Sequence, residues 1–425
     1  MRYCDMNREQ LAQTLKLEKA RYQAFKEKNL SYDMTRGKPG ADQLNLSTDL
    51  LSDKYIGNAN TENGTDCRNY GLTAGIPEIR ALFGQLFDTA PEQVIVGGNS
   101  SLNMMYDTIA MFLLLGTGSG RTPWCRQGTI KFICPVPGYD RHFAICEQFG
   151  IEMIPVEIKE DGPDMEAVEA LAANHPAVKG MWSIPKYSNP SGVIYSDEVI
   201  RRLASMRCAA EDFRIIWDDA YTVHYLGDRP HRQLSLVRAC AEAGNPDRAI
   251  MVTSTSKITF PGAGVAAIAS SLANVQYLTK LIGIQTIGPD KLNQLRHVHF
   301  LKDYDTIVAH MEKHAEILRP KFQSVLSTME AELDGLDILE WSRPEGGYFI
   351  SVNTLDGIAD QVVAMAKECG VLFTPAGATF PYRKDPRNRN IRIAPTFPPL
   401  SQLQEAITVF CVCVKICSLE KLLGD

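Results

Sequence analysis

The sequence predicts an α/β protein, with a mostly parallel sheet flanked by helices and a smaller α+β domain built from both chain ends. Three observations lead there. Between about residues 48 and 305, short apolar runs recur with helix-length segments between them. Those runs are continuously apolar rather than alternating, which is how strands buried on both faces read. Beyond residue 306 the text changes to a long helical stretch, several strand-like runs and a closing helix. The expected division is 48–305 for the large domain, with 1–47 and 306–425 together forming the small one.

In chain order, residues 7–29 carry Leu11, Leu15, Leu17 and Phe25 among Lys, Glu and Gln with no proline, the pattern of a helix. MTRGKPGADQLNLS at 34–47 breaks it with glycines and a proline, and is expected to run extended into the main body. The strand candidates of the large domain are QVIVGG (93–98), KFICP (131–135), IEMIPV (151–156), GMWSI (180–184), FRIIWDD (213–219), AIMVTST (249–255) and VAAIAS (265–270). Helices are expected between several of them, at 100–115, 138–149, 164–174 and 196–210. Periodicity does not order the strands. The small domain opens with a helix at 306–331, where Ile307, Met311, Ala315, Leu318, Phe322 and Leu326 recur near helical spacing. LDILEW, GGYFISV, VLFTPA and NIRIAP then read as strands between turns, before a last helix at 401–423.

Composition narrows the function. The 425 residues include 44 Lys and Arg against 50 Asp and Glu, a net charge of -6 with no basic arm, so nucleic-acid binding is not expected. The start, MRYCDMNREQ, lacks the apolar centre of a signal peptide, and the longest apolar stretch, Ile109 to Leu115, is too short to span a bilayer. The expectation is a cytoplasmic protein without a membrane partner. The 11 cysteines contain no CxxC pair. Cys411, Cys413 and Cys417 cluster without a nearby histidine, and read as small apolar side chains of a buried helix rather than a zinc site. No HExxH and no other recognisable ligand set occurs, so no metal is expected. Nucleotide loops of the GxGxxG and GxxxxGK[ST] kinds are absent from their usual places.

Other residues must carry any chemistry. Lys257 follows a strand, behind Ser254, Thr255 and Ser256 and ahead of Pro261-Gly262. That position faces the crevice where α/β sheets bind ligands, and an amine held there can form a Schiff base. Taken alone it fits an ordinary loop lysine as well. Asp218 ends the strand IIW, with Tyr221 one helical turn on; a buried carboxylate there can keep a ring nitrogen protonated, while either Asp218 or Asp219 can also cap a helix. Asn189 in KYSNPSGV sits on a turn. GGNSSLNMM (97–105) leads from strand to helix, and its exposed backbone donors suit a phosphate. Tyr139, on the Pro-Gly turn of VPGYDRHF, is placed to cover an aromatic ligand.

The order and separation of these pieces resemble a known group: fold-type I enzymes dependent on pyridoxal 5'-phosphate (PLP), of the aspartate aminotransferase class I/II superfamily. The matching text is YGLTAGIPEIR (70–80), GGNSSL (97–102), PGY (137–139), NPSG (189–192), DDAY (218–221), STSK (254–257), PEGGYF (344–349) and NIRIAPTF (390–397), collinear over nearly the whole chain. MTRGKP, SKITFPGAG and the cysteine-rich last helix are similar, more narrowly, to the MocR-like or type Ic aspartate aminotransferase branch, here expected without its DNA-binding winged helix.

The resemblance implies roles. Lys257 would hold PLP as the internal aldimine and move the Cα proton to C4′. Asp218 would pair with the pyridine nitrogen, Tyr221 and Asn189 would bond O3′, and Tyr139 would stack on the ring. Asn99, Ser100, Ser101 and Ser254 would cradle the phosphate, and Tyr70 would reach the phosphate of a neighbouring subunit, implying a homodimer with shared sites. Arg392 would clamp the substrate α-carboxylate. The family usually has an arginine eight residues beyond the lysine to grip the phosphate; here that position is Val265. A second cation is needed for an acidic substrate. Arg36, Lys38, Arg126 and Arg383 are candidates, with Arg36 first and Lys38 behind it, and with Gly37 between them allowing close approach. The expected reaction transfers the amino group of L-aspartate to 2-oxoglutarate by a ping-pong mechanism. An aromatic or small neutral amino donor stays open, as does a non-catalytic PLP-binding sensor.

Overall fold

The computed structural model describes residues 2–424. Its central sheet has eight strands in the spatial order Val94–Val96, Ala266–Ala269, Ala249–Ser254, Arg214–Asp218, Val178–Ser183, Lys131–Val136, Glu152–Lys159 and Gly162–Pro163. Pairing is parallel from Ala249–Ser254 through to Glu152–Lys159, and antiparallel where Ala266–Ala269 and Gly162–Pro163 join. The strands Val178–Ser183, Arg214–Asp218 and Ala249–Ser254 are buried along their whole length, which is why they read as unbroken apolar runs. Helices cover both faces. Met105, Ile109 and Phe112 of the helix Ser101–Leu115 pack on one side with Phe132, Trp182 and Ile216, while Val199, Ile200 and Leu203 of Asp197–Ser205 pack on the other with Met181 and Ile215.

A second, three-stranded antiparallel sheet joins Leu339–Trp341, Ile350–Thr354 and Asn390–Ile393, with Ser351 opposite Arg392. The long helices Tyr304–Leu333 and Leu400–Leu423 pack together, and Arg8–Lys26 packs on the latter, so the two chain ends meet. Tyr32–Asp33 pairs in parallel with Val371–Leu372 beside them. Cys411, Cys413 and Cys417 are fully buried in the last helix, and burial pushes each thiol up. Among the described residues no helix is long and apolar enough to cross a membrane, and no group of His, Cys, Asp and Glu is placed to hold a metal ion.

Three elements differ from the expectation. The stretch 34–47 is not extended throughout: Ala41–Asn45 forms a short helix whose Gln43 side chain reaches back 3.2 Å to the Gly40 amide. The helix expected over 196–210 ends at Ser205, because the Arg248 guanidinium takes the terminal carbonyls of Leu203 and Ala204 at 3.0 and 2.7 Å. GGYFISV becomes a strand only from Ile350, since Gly346 and Gly347 are wedged against Tyr187 and the His224 carbonyl.

Candidate active site

Parallel strands leave their carboxyl ends on one edge of the sheet, and the chain exits there repeatedly with a polar side chain. The loops after Val94–Val96, Lys131–Val136, Val178–Ser183, Arg214–Asp218 and Ala249–Ser254 meet around a cavity of about 470 Å³. Arg36, Gly37, Lys38, Ser101, Tyr139, Asn189, Asp218, Tyr221, Lys257 and Arg392 all line it, drawn together from sites spread over most of the chain.

Lys257 sits on the single turn Thr255–Lys257, with Nζ 4.9 Å from the centroid of the Tyr221 ring. Burial lowers its ammonium below the ordinary lysine range, with Asp218 pulling the other way. Burial also raises the Tyr221 phenol well above its usual value, so it stays protonated. Of the two aspartates, Asp218 lines the cavity; Asp219 turns away toward Lys186, 3.9 Å off. Asp218 Oδ2 lies 3.0 Å from His142 Nε2, and that imidazole stacks on Trp182 at 4.2 Å between centroids. Asp218 Oδ1 is buried without a hydrogen-bond partner among the described residues.

Arg392 is held from several directions. Nη1 donates to Asn189 Oδ1 at 3.2 Å and Nη2 to Thr374 Oγ1 at 3.2 Å, the guanidinium lies 4.6 Å from the Phe349 ring centroid, and Asp140 Oδ1 stands 3.4 Å away. Asn189, whose oxygen accepts from Arg392, itself lines the cavity. Gly37 is required at the mouth: a Cβ there would stand 2.3 Å from the Phe349 ring.

The remaining expected site residues do not line this cavity. Arg126 lies on an exposed turn ahead of the strand Lys131–Val136, at the sheet edge opposite the cavity, and the exposed Arg383 follows Tyr382, whose hydroxyl bonds the Met153 amide near the start of its strand. Neither lines this chain's cavity. Asn99 and Ser254 stitch loops together: Asn99 Nδ2 donates to the Pro261 carbonyl at 3.0 Å, and Ser254 Oγ accepts from the Ser256 amide at 3.4 Å. Ser100 caps the helix Ser101–Leu115 by accepting from the Asn103 amide. Val265 is fully buried and bonded on both sides to Thr255, so it offers the cavity nothing. Tyr70 is 78% exposed and does not line this chain's cavity, and the amide of the next residue, Gly71, donates to the carbonyl of the exposed Ile287 at 3.2 Å.

Motif reading missed several residues that matter. Asp140, Arg141 and His142 lie within VPGYDRHF, where only Tyr139 drew attention; Arg141 and Asp140 line the cavity and His142 backs Asp218. Phe349 ends the PEGGYF motif but was assigned no role there, and Thr374 carried no local signal, because their contacts with Arg392 exist only after the small sheet has folded over the cavity.

The residues present fit PLP. A buried carboxylate oxygen without a donor, Asp218 Oδ1, matches a protonated ring nitrogen, and a buried amine 4.9 Å from a neutral phenol ring matches an aldehyde-binding lysine. The helix start at Ser101 supplies an anion site at the cavity wall.

Comparison with known proteins gives the same reading. The family described as Aspartate amino-transferase matches residues 6–425. An aspartate aminotransferase of Corynebacterium glutamicum is 44% identical over 402 residues, covering 95% of this chain and 93% of that protein. The crystal structure of an aspartate transaminase from the same organism superposes with a TM-score of 0.96 at 43% identity, covering 98% of each chain. At 21% identity, the α-aminoadipate aminotransferase LysN of Thermus thermophilus, solved with N-(5'-phosphopyridoxyl)-L-leucine, shares the fold with a TM-score of 0.72 over 93% of each chain.

Proposed function

The chain belongs to the aspartate aminotransferase family of fold-type I, PLP-dependent transaminases, and on that premise we propose that it passes the amino group of L-aspartate to 2-oxoglutarate. The products are oxaloacetate and L-glutamate, formed in two half-reactions that share one site. The observation that carries this reading is the cavity's division of charge: Arg392 deep inside for one carboxylate, and Arg36, Lys38 and Arg141 at its rim for another.

When bound, PLP supplies an aldehyde that takes up primary amines and a ring that draws electrons from the bond being broken. The protein does the rest. Lys257 Nζ would hold the cofactor and take up the proton from the substrate Cα; its lowered affinity for protons suits that task. Asp218 Oδ1 keeps the ring nitrogen protonated, and His142 holds the carboxylate in place. The protonated Tyr221 hydroxyl and Asn189 would hold the edge of the ring, and Tyr139 would hold its face. Arg392 takes the α-carboxylate, and the helix start at Ser101 takes the phosphate in place of the arginine that Val265 replaces. Tyr70 is exposed, and its role in this reading is to reach the phosphate of a second copy of the chain. The division into 48–305 and 1–47 with 306–425, and a cytoplasmic site of action, belong to the same reading.

Borohydride reduction of the PLP-loaded protein, digestion and mass analysis test it. The pyridoxyl mass is expected on Lys257, and its appearance on another lysine would overturn the assignment. Lys257→Ala is expected to lower turnover by roughly 10²–10⁴-fold from the lost proton transfer alone. With aspartate and 2-oxoglutarate, oxaloacetate and glutamate should form; turnover of an aromatic or small neutral donor in preference to aspartate would reassign the substrate. Sedimentation is expected to give a dimer, and an active monomer would sink the role given to Tyr70.

A further inference from the structure

The lysine turn Thr255–Lys257 is a single turn that does not continue, so the carbonyls beyond it have no helical partners. Buried histidines surround them. His224 Nε2 lies 3.3 Å from the Lys257 carbonyl, and His310 Nε2 lies 2.9 Å from the Ile258 carbonyl. Thr259 Oγ1, next along, is 3.0 Å from His297 Nε2. Consecutive residues beginning at the lysine therefore each meet a different buried histidine, brought in by three separate segments of the chain.

A carbonyl only accepts, so His224 must present Nε2–H to Lys257. His297 takes the opposite tautomer, because its Nδ1 donates to the Asn293 carbonyl at 2.8 Å and leaves Nε2 to accept from Thr259. Burial keeps these rings neutral, taking His224 down to about 3 and His297 to about 4, and lowering His310; Lys257, Arg296 and Lys313 respectively push the same way. A neutral donor has a consequence here. A lysine or arginine in place of His224 would bring a second positive charge against the Lys257 amine, whereas an imidazole holds the carbonyl without one. His224 is fixed in turn: the Gly347 amide donates to its carbonyl at 2.7 Å, and a Cβ on Gly346 would stand 2.4 Å from that oxygen. The PEGGYF motif thus has a purpose at this place, as the clasp on His224.

We propose that His224 is a positioning residue which, through the Lys257 carbonyl, holds the turn so that Nζ stays over the Tyr221 ring beside Asp218. His310, from the helix Tyr304–Leu333, holds the following carbonyl and so ties the turn to a helix outside the central sheet. The inference rests on Lys257 being the cofactor lysine.

Two measurements test it. Histidine nitrogen NMR of the PLP-free protein is expected to show His224 as the Nε2–H tautomer, without titration between about pH 5.5 and 8, where a free imidazole changes charge. An Nδ1–H tautomer or a titrating ring would overturn the contact, whether or not any variant folds. In the PLP-loaded protein, His224→Leu is expected to lower kcat on the order of 10²-fold through a misplaced amine, with faster loss of PLP on dialysis and KM for the amino donor little changed. His224→Gln, a neutral donor, should recover most of both. A folded His224→Leu protein with wild-type kcat and PLP retention would overturn the proposal, as would a rise in KM matching the fall in kcat. Failure of the underlying reading looks different: borohydride would then fix the cofactor on another lysine in the wild-type protein, while the NMR result would stand.

Discussion

Where the helices Arg8–Lys26, Tyr304–Leu333 and Leu400–Leu423 meet, the chain buries charge and pairs it. Lys415 Nζ lies 2.6 Å from Glu332 and 3.5 Å from Glu18, and Arg21 lies 2.8 Å from Glu332 and 3.0 Å from Glu18. The cavity floor also buries charge but leaves it open. Asp218 Oδ1 and Arg392 Nε have no partners among the described residues, and Lys257 Nζ lies over a phenol ring rather than against a carboxylate. An unmet buried polar group costs about 1–3 kcal/mol. The helix contact spends nothing of this kind, which marks it as structural; the cavity tolerates the cost because a ligand completes it. Removing a charge should therefore affect turnover in one region and stability in the other.

The sharpest form of that contrast is Asp218→Asn. Turnover is expected to fall on the order of 10²–10³-fold, the scale of losing one preorganised electrostatic contact, while thermal unfolding of the PLP-free protein shifts little. Asp219→Asn should leave turnover nearly intact, since burial already pushes that carboxyl toward its neutral form and it does not line the cavity. If Asp219→Asn were the inactive variant, the comparison would be drawn at the wrong residue.

Glu332→Ala is the counterpart. It leaves Lys415, whose side chain is 8% exposed, with only the longer 3.5 Å contact to Glu18, and removes the hydrogen bonds from Arg21 and Lys415 that outweigh burial and hold the carboxyl below its usual range. Denaturant unfolding should show a loss of about 2–3 kcal/mol, a buried-pair penalty reduced by partial solvent access, with kcat within about twofold. A large loss of turnover at unchanged stability would erase the distinction between the regions.

Sequence reading reached these two regions unequally. The strands were legible because a sheet buried on both faces leaves unbroken apolar runs, and Lys257 and Asp218 because each ends or follows such a run; Asn189, on a turn, and Arg392, inside a strand of the small sheet, stood out only through the family resemblance. Arg126 and Arg383 were indistinguishable from Arg36 in one dimension, since only the direction of the parallel strands separates the cavity edge from the opposite edge. His142 and His224 escaped for another reason. Each acts through a contact across the fold, to Asp218 and to Lys257, and a lone histidine beside a motif carries no periodic signal. The Glu18–Arg21–Glu332–Lys415 cluster was equally silent, as charges on three distant helices look like three solvated faces until the helices pack.

Acid separates the regions by pH. The histidines around the lysine turn, with His314 behind His310 at 3.3 Å, titrate near 6.5 in an unfolded chain, but burial takes His224 and His314 down to about 3 and His297 to about 4 when folded. Below pH 6.5 the unfolded chain binds protons that the native state refuses, so their contribution is complete above that pH and is lost as pH falls toward about 4. Each can contribute up to about 1.4 kcal/mol per pH unit in that window. Glu332 behaves otherwise. Its lowered value gives stability above the unfolded carboxyl range, lost only as pH falls through the folded value. Unfolding free energies of PLP-free protein measured from pH 7 to 4 should therefore decline from about pH 6.5 in wild type. His224→Gln should lessen the slope, and Glu332→Ala should leave it in place. A flat profile down to pH 5 would show that the histidines are not held neutral by burial.

The smallest effect lies at the rim, where charge is exposed and solvent weakens it. Arg36, Lys38 and Arg141 share the mouth with Arg392 behind them, but they are not equally available. Lys38 Nζ already lies 3.8 Å from the Phe397 ring centroid. Arg36 stands beside Gly37, where a side chain would collide with Phe349, so the backbone there approaches the cavity as closely as it can. An acidic substrate whose α-carboxylate is on Arg392 must present its second carboxylate toward this rim, and a neutral donor such as alanine presents nothing. Arg36→Ala should therefore cost aspartate about 1.5 kcal/mol, the weak end of a charge-assisted hydrogen bond, or roughly tenfold in kcat/KM, while alanine changes little. The same measurement on Arg141→Ala decides between the two guanidiniums, and the one that carries the distal carboxylate should alone separate aspartate from alanine. Equal losses for both substrates would mean that the arginine shapes the pocket rather than reading charge. No loss in either variant would move the distal contact off this chain's rim, to the second copy that Tyr70 is proposed to meet.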